Sequence, residues 1–161
     1  MFAPDELIAA LSDGAVECVL IGGLAVAAHG FPRATKDVDI VPAPDEANLQ
    51  RLSEVLQAID AQNLGTGDFD PAEFPFDPLK PDDLREGGNF VLGTRLGRLD
   101  IMQWVPGIPG ELAFEHLTRS AVETSVAGRP VRVCSREDLI AMKRAAGRTQ
   151  DLLDLEQLGA S

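Results

Sequence analysis

The chain has 161 residues, a length that suits one domain with a single sizeable core. Its hydrophobic share of 45% is that of ordinary globular material and excludes an intrinsically disordered chain. With 14 basic against 26 acidic residues, the formal net charge of −12 leaves no basic footprint for tight, autonomous nucleic-acid binding. It suits a cationic small substrate or a basic protein partner better.

No run of 18 apolar residues occurs, so no membrane-spanning helix is expected. The start, Met1-Phe2-Ala3-Pro4-Asp5-Glu6, carries no secretory pattern, and a cytoplasmic location follows as the expectation. Cys18 and Cys134 lie in apolar surroundings without metal-ligand spacing and read as buried, reduced thiols.

In chain order, residues 4–12 read as a short helix opened by Pro4, with Asp5 and Glu6 favourable to its dipole. Glu17 to Ile21 is a brief apolar run, a buried strand stopped by Gly22-Gly23. Leu24 to His29 is alanine-rich and helical, ended by Gly30 and Pro32. Asp37 to Val41 is a strand, and Pro44-Asp45-Glu46 opens a helix to about Ala61. Residues 63–86, with prolines at 71, 75, 78 and 81, read as a loop or lid. Asn89–Thr94 and Leu99–Val105 form a hairpin turning at residues 95–98, and a helix follows from about Gly110 to Arg119. A second hairpin joins residues 124–126 to 131–133. Ser135 then caps a helix to about Ala146, with Asp138 placed as in a capping box, and a last helix runs from about Thr149 to Leu158. The whole is an α/β (α+β) chain: a single domain over residues 1–161, with a small mixed sheet of about five strands and helices packed around it.

Three elements carry chemistry. Asp37 and Asp39 stand at i and i+2 of a strand, so both carboxylates leave the same face. At ~5 Å and an effective dielectric of ~20, two such anions repel by roughly 3 kcal/mol. Either both are solvated on an exposed edge, or a cation sits between them. Gly22-Gly23, between strand and helix, is either a tight turn or a place where backbone approaches an anion. It is neither Gly-x-Gly-x-x-Gly nor a P-loop. Asp100 shares its strand face with Arg98, Met102 and Trp104, where an unpaired acid is costly. It needs a metal, or Arg98 as an ion-pair partner.

The ordered set Gly22-Gly23, Arg33-x-Thr35-x-Asp37-x-Asp39 and Asp100 resembles the DNA polymerase β-type nucleotidyltransferase superfamily. The tail, Asp138-Leu139-Ile140-Ala141-Met142-Lys143 with Gly147-Arg148 and Asp151-Leu152-Leu153-Asp154-Leu155, is similar to its small bacterial branch of minimal nucleotidyltransferases and AbiEii-type toxins. The resemblance spans roughly residues 17–158. It implies the nucleotidyltransferase fold and transfer of NMP from an NTP to an acceptor hydroxyl with loss of pyrophosphate. The acceptor would be an RNA end, a protein side chain or an aminoglycoside-like small molecule. It further implies that Asp37, Asp39 and Asp100 are catalytic and hold Mg²⁺ (two ions, with Mn²⁺ as a substitute). Gly22, Gly23, Arg33, Lys36 and Lys143 would serve the nucleotide, ATP being the simplest case. Arg33, Lys36 and Lys143 are equally readable as surface charges, and Arg148 with Asp151 as an intrahelical ion pair. His29 and His116 read as structural. An antitoxin or a second copy of the chain are the implied protein partners. The alternative is a catalytically inactive nucleotide- or partner-binding module of the same fold.

Overall fold

The computed structural model describes residues 3–65, 77–110, 112–126 and 128–160. Residues 66–76, the centre of the expected lid with Pro71 and Pro75, lie outside the described residues, as does Ala127.

Helix α1 (Pro4–Asp13) precedes strand β1 (Cys18–Ile21), helix α2 (Gly22–Ala28) and strand β2 (Asp37–Pro42). Helix α3 (Glu46–Ala58), the two-residue strand β3 (Gln62–Asn63) and the short helix α4 (Pro81–Arg85) lead into the hairpin β4 (Asn89–Thr94) and β5 (Gly97–Met102). Helix α5 (Ala113–Ser120), the hairpin β6 (Val122–Val126) and β7 (Arg129–Val133), and helices α6 (Arg136–Ala146) and α7 (Thr149–Gln157) complete the chain. Among the described residues seven strands form one mixed sheet in the order β3-β4-β5-β2-β1-β7-β6, two more than the five or so expected. Part of the excess is β3, whose two residues pair with Gly93 and Leu92 and are too short for periodicity to register.

Three element boundaries differ from the sequence reading for local reasons. Gly22 and Gly23 are the first residues of α2 rather than a turn before it. The first hairpin closes tightly, because Thr94 pairs with Gly97 and leaves Arg95-Leu96 as the turn. Strand β5 therefore starts two residues early and ends at Met102, so Trp104 leaves the sheet and stands 61% exposed. The second hairpin also pairs further toward its turn, with Val126 opposite Arg129.

Three central strands position the site. β1 runs antiparallel to β2, with Ile21 opposite Asp39, and β2 runs parallel to β5, with Asp39 beside Asp100 and Asp37 beside Arg98. Alternation then assigns the two faces. Leu20 and Ile40 look toward Ile8 and Leu11 of α1, while Ile21, Asp39 and Met102 look toward Leu139 and Met142 of α6. The core is built from both sides of this sheet, with Val38, Val41, Leu52, Leu56, Leu99, Ile101, Leu117 and Leu139 among its buried members. Among the described residues no helix is long and apolar enough to cross a membrane.

One polar residue fixes the start of α3. Asp45 caps the helix by accepting from the Asn48 amide at 2.9 Å. Asn48 itself is fully buried: its Nδ2 donates to the carbonyls of Glu17 and Ala43, and its Oδ1 accepts from the Glu17 amide at 2.7 Å. The side chain thus satisfies backbone groups just before β1 and just after β2. Removing it would leave the buried Ala43 carbonyl and the part-buried Glu17 amide without this partner, while the Glu17 carbonyl keeps its bond from the Ala43 amide. Asn48→Ala is expected to destabilise the fold by about 2–4 kcal/mol in urea denaturation, with the m-value unchanged.

Candidate active site

The strand register brings the three aspartates together. Asp37, Asp39 and Asp100 each offer one carboxylate oxygen, and these oxygens all lie within 4.8 Å of one another. Asp39 and Asp100 are direct partners across parallel strands, which places their side chains on one face. Asp37 joins them two residues earlier on β2. The donor set is all carboxylate, the hard oxygen chemistry that Mg²⁺ and Mn²⁺ take, so the residues present fit such ions.

Gly22 lies against the cluster. Its φ is +73°, and a Cβ placed there would lie 2.1 Å from Asp39 Oδ2. Any side chain would therefore clash with the carboxylate and strain the backbone at once. At Gly23 a Cβ would meet Arg33 Nη1 at 2.3 Å and Thr35 Oγ1 at 2.9 Å. The two glycines thus let Asp39 and Arg33 pack against α2.

Burial pushes the Asp39 carboxyl up to about 7, with the charges of Asp37 and Asp100 adding to the effect and Lys143 and Arg98 opposing it. Arg98 is the cation in direct contact with the cluster. Its Nε donates to Asp100 Oδ1 at 2.9 Å, its Nη2 donates to Asp100 Oδ2 at 3.0 Å, and Asp37 Oδ2 lies 3.6 Å from Nε. The ion pair weighed against a metal for Asp100 is present, and it coexists with the carboxylate cluster.

A second, buried layer of charge stands behind the first. Lys143, on α6, is 6% exposed and places Nζ 3.1 Å from Asp151 Oδ1 and 2.9 Å from Asp154 Oδ2, both on α7. Arg148 Nε donates to Asp151 Oδ2 at 2.7 Å, and Arg33 Nε lies 3.1 Å from Asp154 Oδ1. Arg33 Nε and Asp154 Oδ2 lack hydrogen-bond alignment, so their contacts act through charge and proximity. Burial alone would raise the Asp151 carboxyl, but hydrogen bonds from Arg148 and Lys143 outweigh it and hold Asp151 below the usual carboxylate range. Three cations face two anions here, and the surplus positive charge falls to Arg148, whose side chain is 76% exposed at the edge of the network.

The sequence-derived candidates thus divide. Asp37, Asp39, Asp100, Gly22 and Lys143 converge, and Gly22, Asp39, Lys143, Arg148 and Asp151 line one cavity of roughly 110 Å³ with apolar walls from Met102, Val105 and Met142. Gly23 and Arg33 stand beside it, with Arg33 drawn into the buried network. Lys36 is exposed and makes no ion pair among the described residues. A larger cavity of about 430 Å³ lies on the α1 face of the sheet, away from the aspartates, and the carboxylates locate the chemistry better than size does. Asp154 is the site residue that sequence reasoning missed. Its signal was an aspartate spaced i, i+3 from Asp151 among leucines on one short helix.

Both histidines are structural: His29 Nε2 lies 2.8 Å from the Cys134 carbonyl, and His116 Nε2 lies 2.9 Å from Asp138 Oδ1. Ser135 caps α6 as expected, whereas the Asp138 carboxylate is taken up by His116 and Ser120. Both cysteines are free thiols, each pushed up to about 12, chiefly by burial.

A carboxyl raised in the folded state stabilises it below the unfolded-state value near ~3.9 and loses that contribution as pH rises toward the folded value. In chelator-treated protein, Asp39→Asn is therefore expected to raise stability at pH 8 by on the order of 2 kcal/mol, allowing for partial solvent screening. The gain should shrink steadily as pH falls from 7 to 4. Urea denaturation across that range reads it directly, and a gain constant with pH would contradict the electrostatic cause.

The architecture has counterparts among solved structures, all too dissimilar in sequence to indicate more than the fold. The lincosamide antibiotic adenylyltransferase LnuA, bound to lincomycin, superposes with a TM-score of 0.63 at 16% identity, covering 99% of this chain and 98% of its own. ANT(2")-Ia in complex with adenylyl-2"-tobramycin gives 0.58 at 18% identity, covering 94% and 83%. An antigenic nucleotidyltransferase-like protein from Paracoccidioides brasiliensis gives 0.60 at 17% identity, covering 98% and 75%. No curated protein sequence matches the chain. Over residues 6–160, nearly its full length, the sequence matches the family described as "Nucleotidyl transferase AbiEii toxin, Type IV TA system". The chain belongs to the AbiEii nucleotidyltransferase family of type IV toxin–antitoxin toxins.

Proposed function

We propose that this chain transfers NMP from an NTP to an acceptor hydroxyl, in a metal-dependent reaction that releases pyrophosphate. The observation that carries the reading is the meeting of three carboxylates within 4.8 Å on one sheet face. Nucleotidyl transfer asks the protein for position and charge rather than for covalent help, and this arrangement offers both. Asp37, Asp39 and Asp100 would hold Mg²⁺ or Mn²⁺, two ions in the working form, which would supply charge neutralisation for the reacting phosphate and its leaving group.

The residues divide the work. Asp37 and Asp39 would hold the metal that accompanies the triphosphate. Asp100 shares in metal binding and accepts the proton of the acceptor hydroxyl. Gly22 lets the Asp39 carboxylate, and Gly23 lets Arg33, lie close against the start of α2, where the nucleotide phosphates would approach. Lys143 and Arg148 line the same cavity and give it positive potential. Arg33, Asp151 and Asp154 hold Lys143 in place, so its charge is directed rather than mobile. Lys36, exposed two residues before Val38, serves the incoming nucleotide from solvent.

The acceptor belongs to one of three chemical classes: an RNA end, a protein side chain or a cationic small molecule. The net charge of −12 supports a cationic acceptor or a basic protein region, and family membership supports toxin-like action on RNA or protein, with an antitoxin as the cellular counterpart. The 63–86 segment and the remainder of residues 1–161 act as one catalytic domain in this reading.

Thermal-shift measurements with each NTP are expected to show stabilisation that requires Mg²⁺ or Mn²⁺ and disappears in Asp37→Ala and Asp39→Ala. Transfer of label from α-³²P-NTP to total RNA, to protein or to aminoglycosides is expected to fall at least a thousandfold in Asp39→Asn and Asp100→Asn, about 4 kcal/mol of barrier. Metal-independent nucleotide binding would overturn the site. Metal-dependent binding without transfer to any acceptor would leave a nucleotide-binding module instead.

A further inference from the structure

The Arg98–Asp100 pair has a geometry that a mere surface salt bridge does not need. Arg98 and Asp100 are neighbours on the same face of β5, and both oxygens of Asp100 are engaged, at 2.9 and 3.0 Å. The same guanidinium lies 3.6 Å from Asp37, its register partner on β2. Among the described residues no other cation contacts the three aspartates. Lys143, the nearest alternative, is committed to Asp151 and Asp154. Arg98 is also free to leave: its side chain is 46% exposed, and among the described residues no further side-chain hydrogen bond holds it.

We infer that Arg98 is a positioning residue that occupies Asp100 in the free protein, opposes loading by a bare divalent ion, and transfers to the triphosphate when metal arrives with nucleotide. The inference rests on the metal-dependent reading of the site and extends it to the order of binding. Its physical basis is competition for the same two oxygens. A planar guanidinium forked onto a carboxylate leaves that group poorly placed to ligate a cation, and Arg98 and an ion would also repel each other across about the width of the site. The apparent affinity for free metal is then reduced by the fraction of molecules in which Arg98 has released Asp100. A triphosphate changes the balance, because it offers the guanidinium a bidentate anionic partner as Asp100 turns to the metal. Metal and nucleotide therefore bind with positive coupling, and Arg98 carries that coupling. Linkage requires the effect to be reciprocal.

The test uses the full chain and reads binding rather than turnover. Bound Mn²⁺ is titrated by electron paramagnetic resonance, with and without a non-hydrolysable ATP analogue, in wild type, Arg98→Met and Arg98→Lys. In the absence of nucleotide, Arg98→Met is expected to bind Mn²⁺ between about five- and a hundredfold more tightly than wild type. The enhancement that the analogue confers should fall by a similar factor. Arg98→Lys, which keeps the charge and loses the fork, should lie between the two. A thermal melt of each variant confirms folding, and Arg98→Lys retains a cation if Arg98→Met proves unstable. Equal or weaker Mn²⁺ binding by folded Arg98→Met, with an undiminished effect of the analogue, overturns the role given to Arg98. If wild type binds no Mn²⁺ even with the analogue, and Asp39→Ala changes nothing, the metal-dependent reading itself fails. The two failures are thus distinct.

Discussion

Three carboxyl groups gathered on one face of a sheet are the constraint from which the rest of this structure follows. Asp37, Asp39 and Asp100 are brought within 4.8 Å by strand register, and the register cannot slip without turning every side chain on β2 to the opposite face. The hydrophobic residues that alternate with the acids, Val38, Ile40, Leu99 and Ile101, are buried on the other side and lock that register. Core packing therefore enforces loss of hydration at Asp39 first, and repulsion from Asp37 and Asp100 second, on the functional face. The fold gives up stability at a cluster whose carboxylates could hold a cation.

The fold answers the repulsion in two layers of different character. Arg98 is half-exposed, directly bonded and replaceable. The layer behind it is buried at its centre: Lys143, Asp151 and Asp154 are each nearly inaccessible, the part-buried Arg33 closes the network on one side, and the exposed Arg148 closes it on the other. A buried ion-pair network of this kind is weak as a source of net stability, since desolvation offsets most of the attraction, but it holds its members in one arrangement. That explains why α6 and α7 pack together through charges on the site side. Gly147, in the left-handed conformation at φ 62°, makes the reversal between the two helices short enough for Lys143 and Asp151 to meet.

Much of this was readable in advance, and the reasons are specific. The strands carrying the aspartates could be placed because β-branched and aliphatic residues surround them, and a strand's period of two sets which acids share a face. Ser135 as a cap and Arg148 with Asp151 as an i, i+3 pair followed from spacing within one helix. Asn48 was invisible because nothing local distinguishes a polar residue on a helix from one that bonds Glu17 across 31 residues of chain. Trp104 was misplaced because the tight turn at Arg95-Leu96 shifted where β5 begins and ends. Asp154 was missed because its partners, Arg33 and Lys143, lie on other elements.

The sequence by itself determined the ingredients: two aspartates two apart on a strand, a third in a later strand, a pair of glycines between strand and helix, and a lysine on a helix near the end. Each is a local property, set by periodicity and residue chemistry. Tertiary structure alone decided that Asp39 sits beside Asp100, because parallel pairing of β2 with β5 joins segments some sixty residues apart. It also decided that Gly22 touches Asp39, that Lys143 is bound to α7 rather than solvated, and that Arg98 rests on Asp100. Those outcomes depend on which strand lies beside which and on what is buried behind them, and a charged residue carries no local mark of the partner that packing will bring to it.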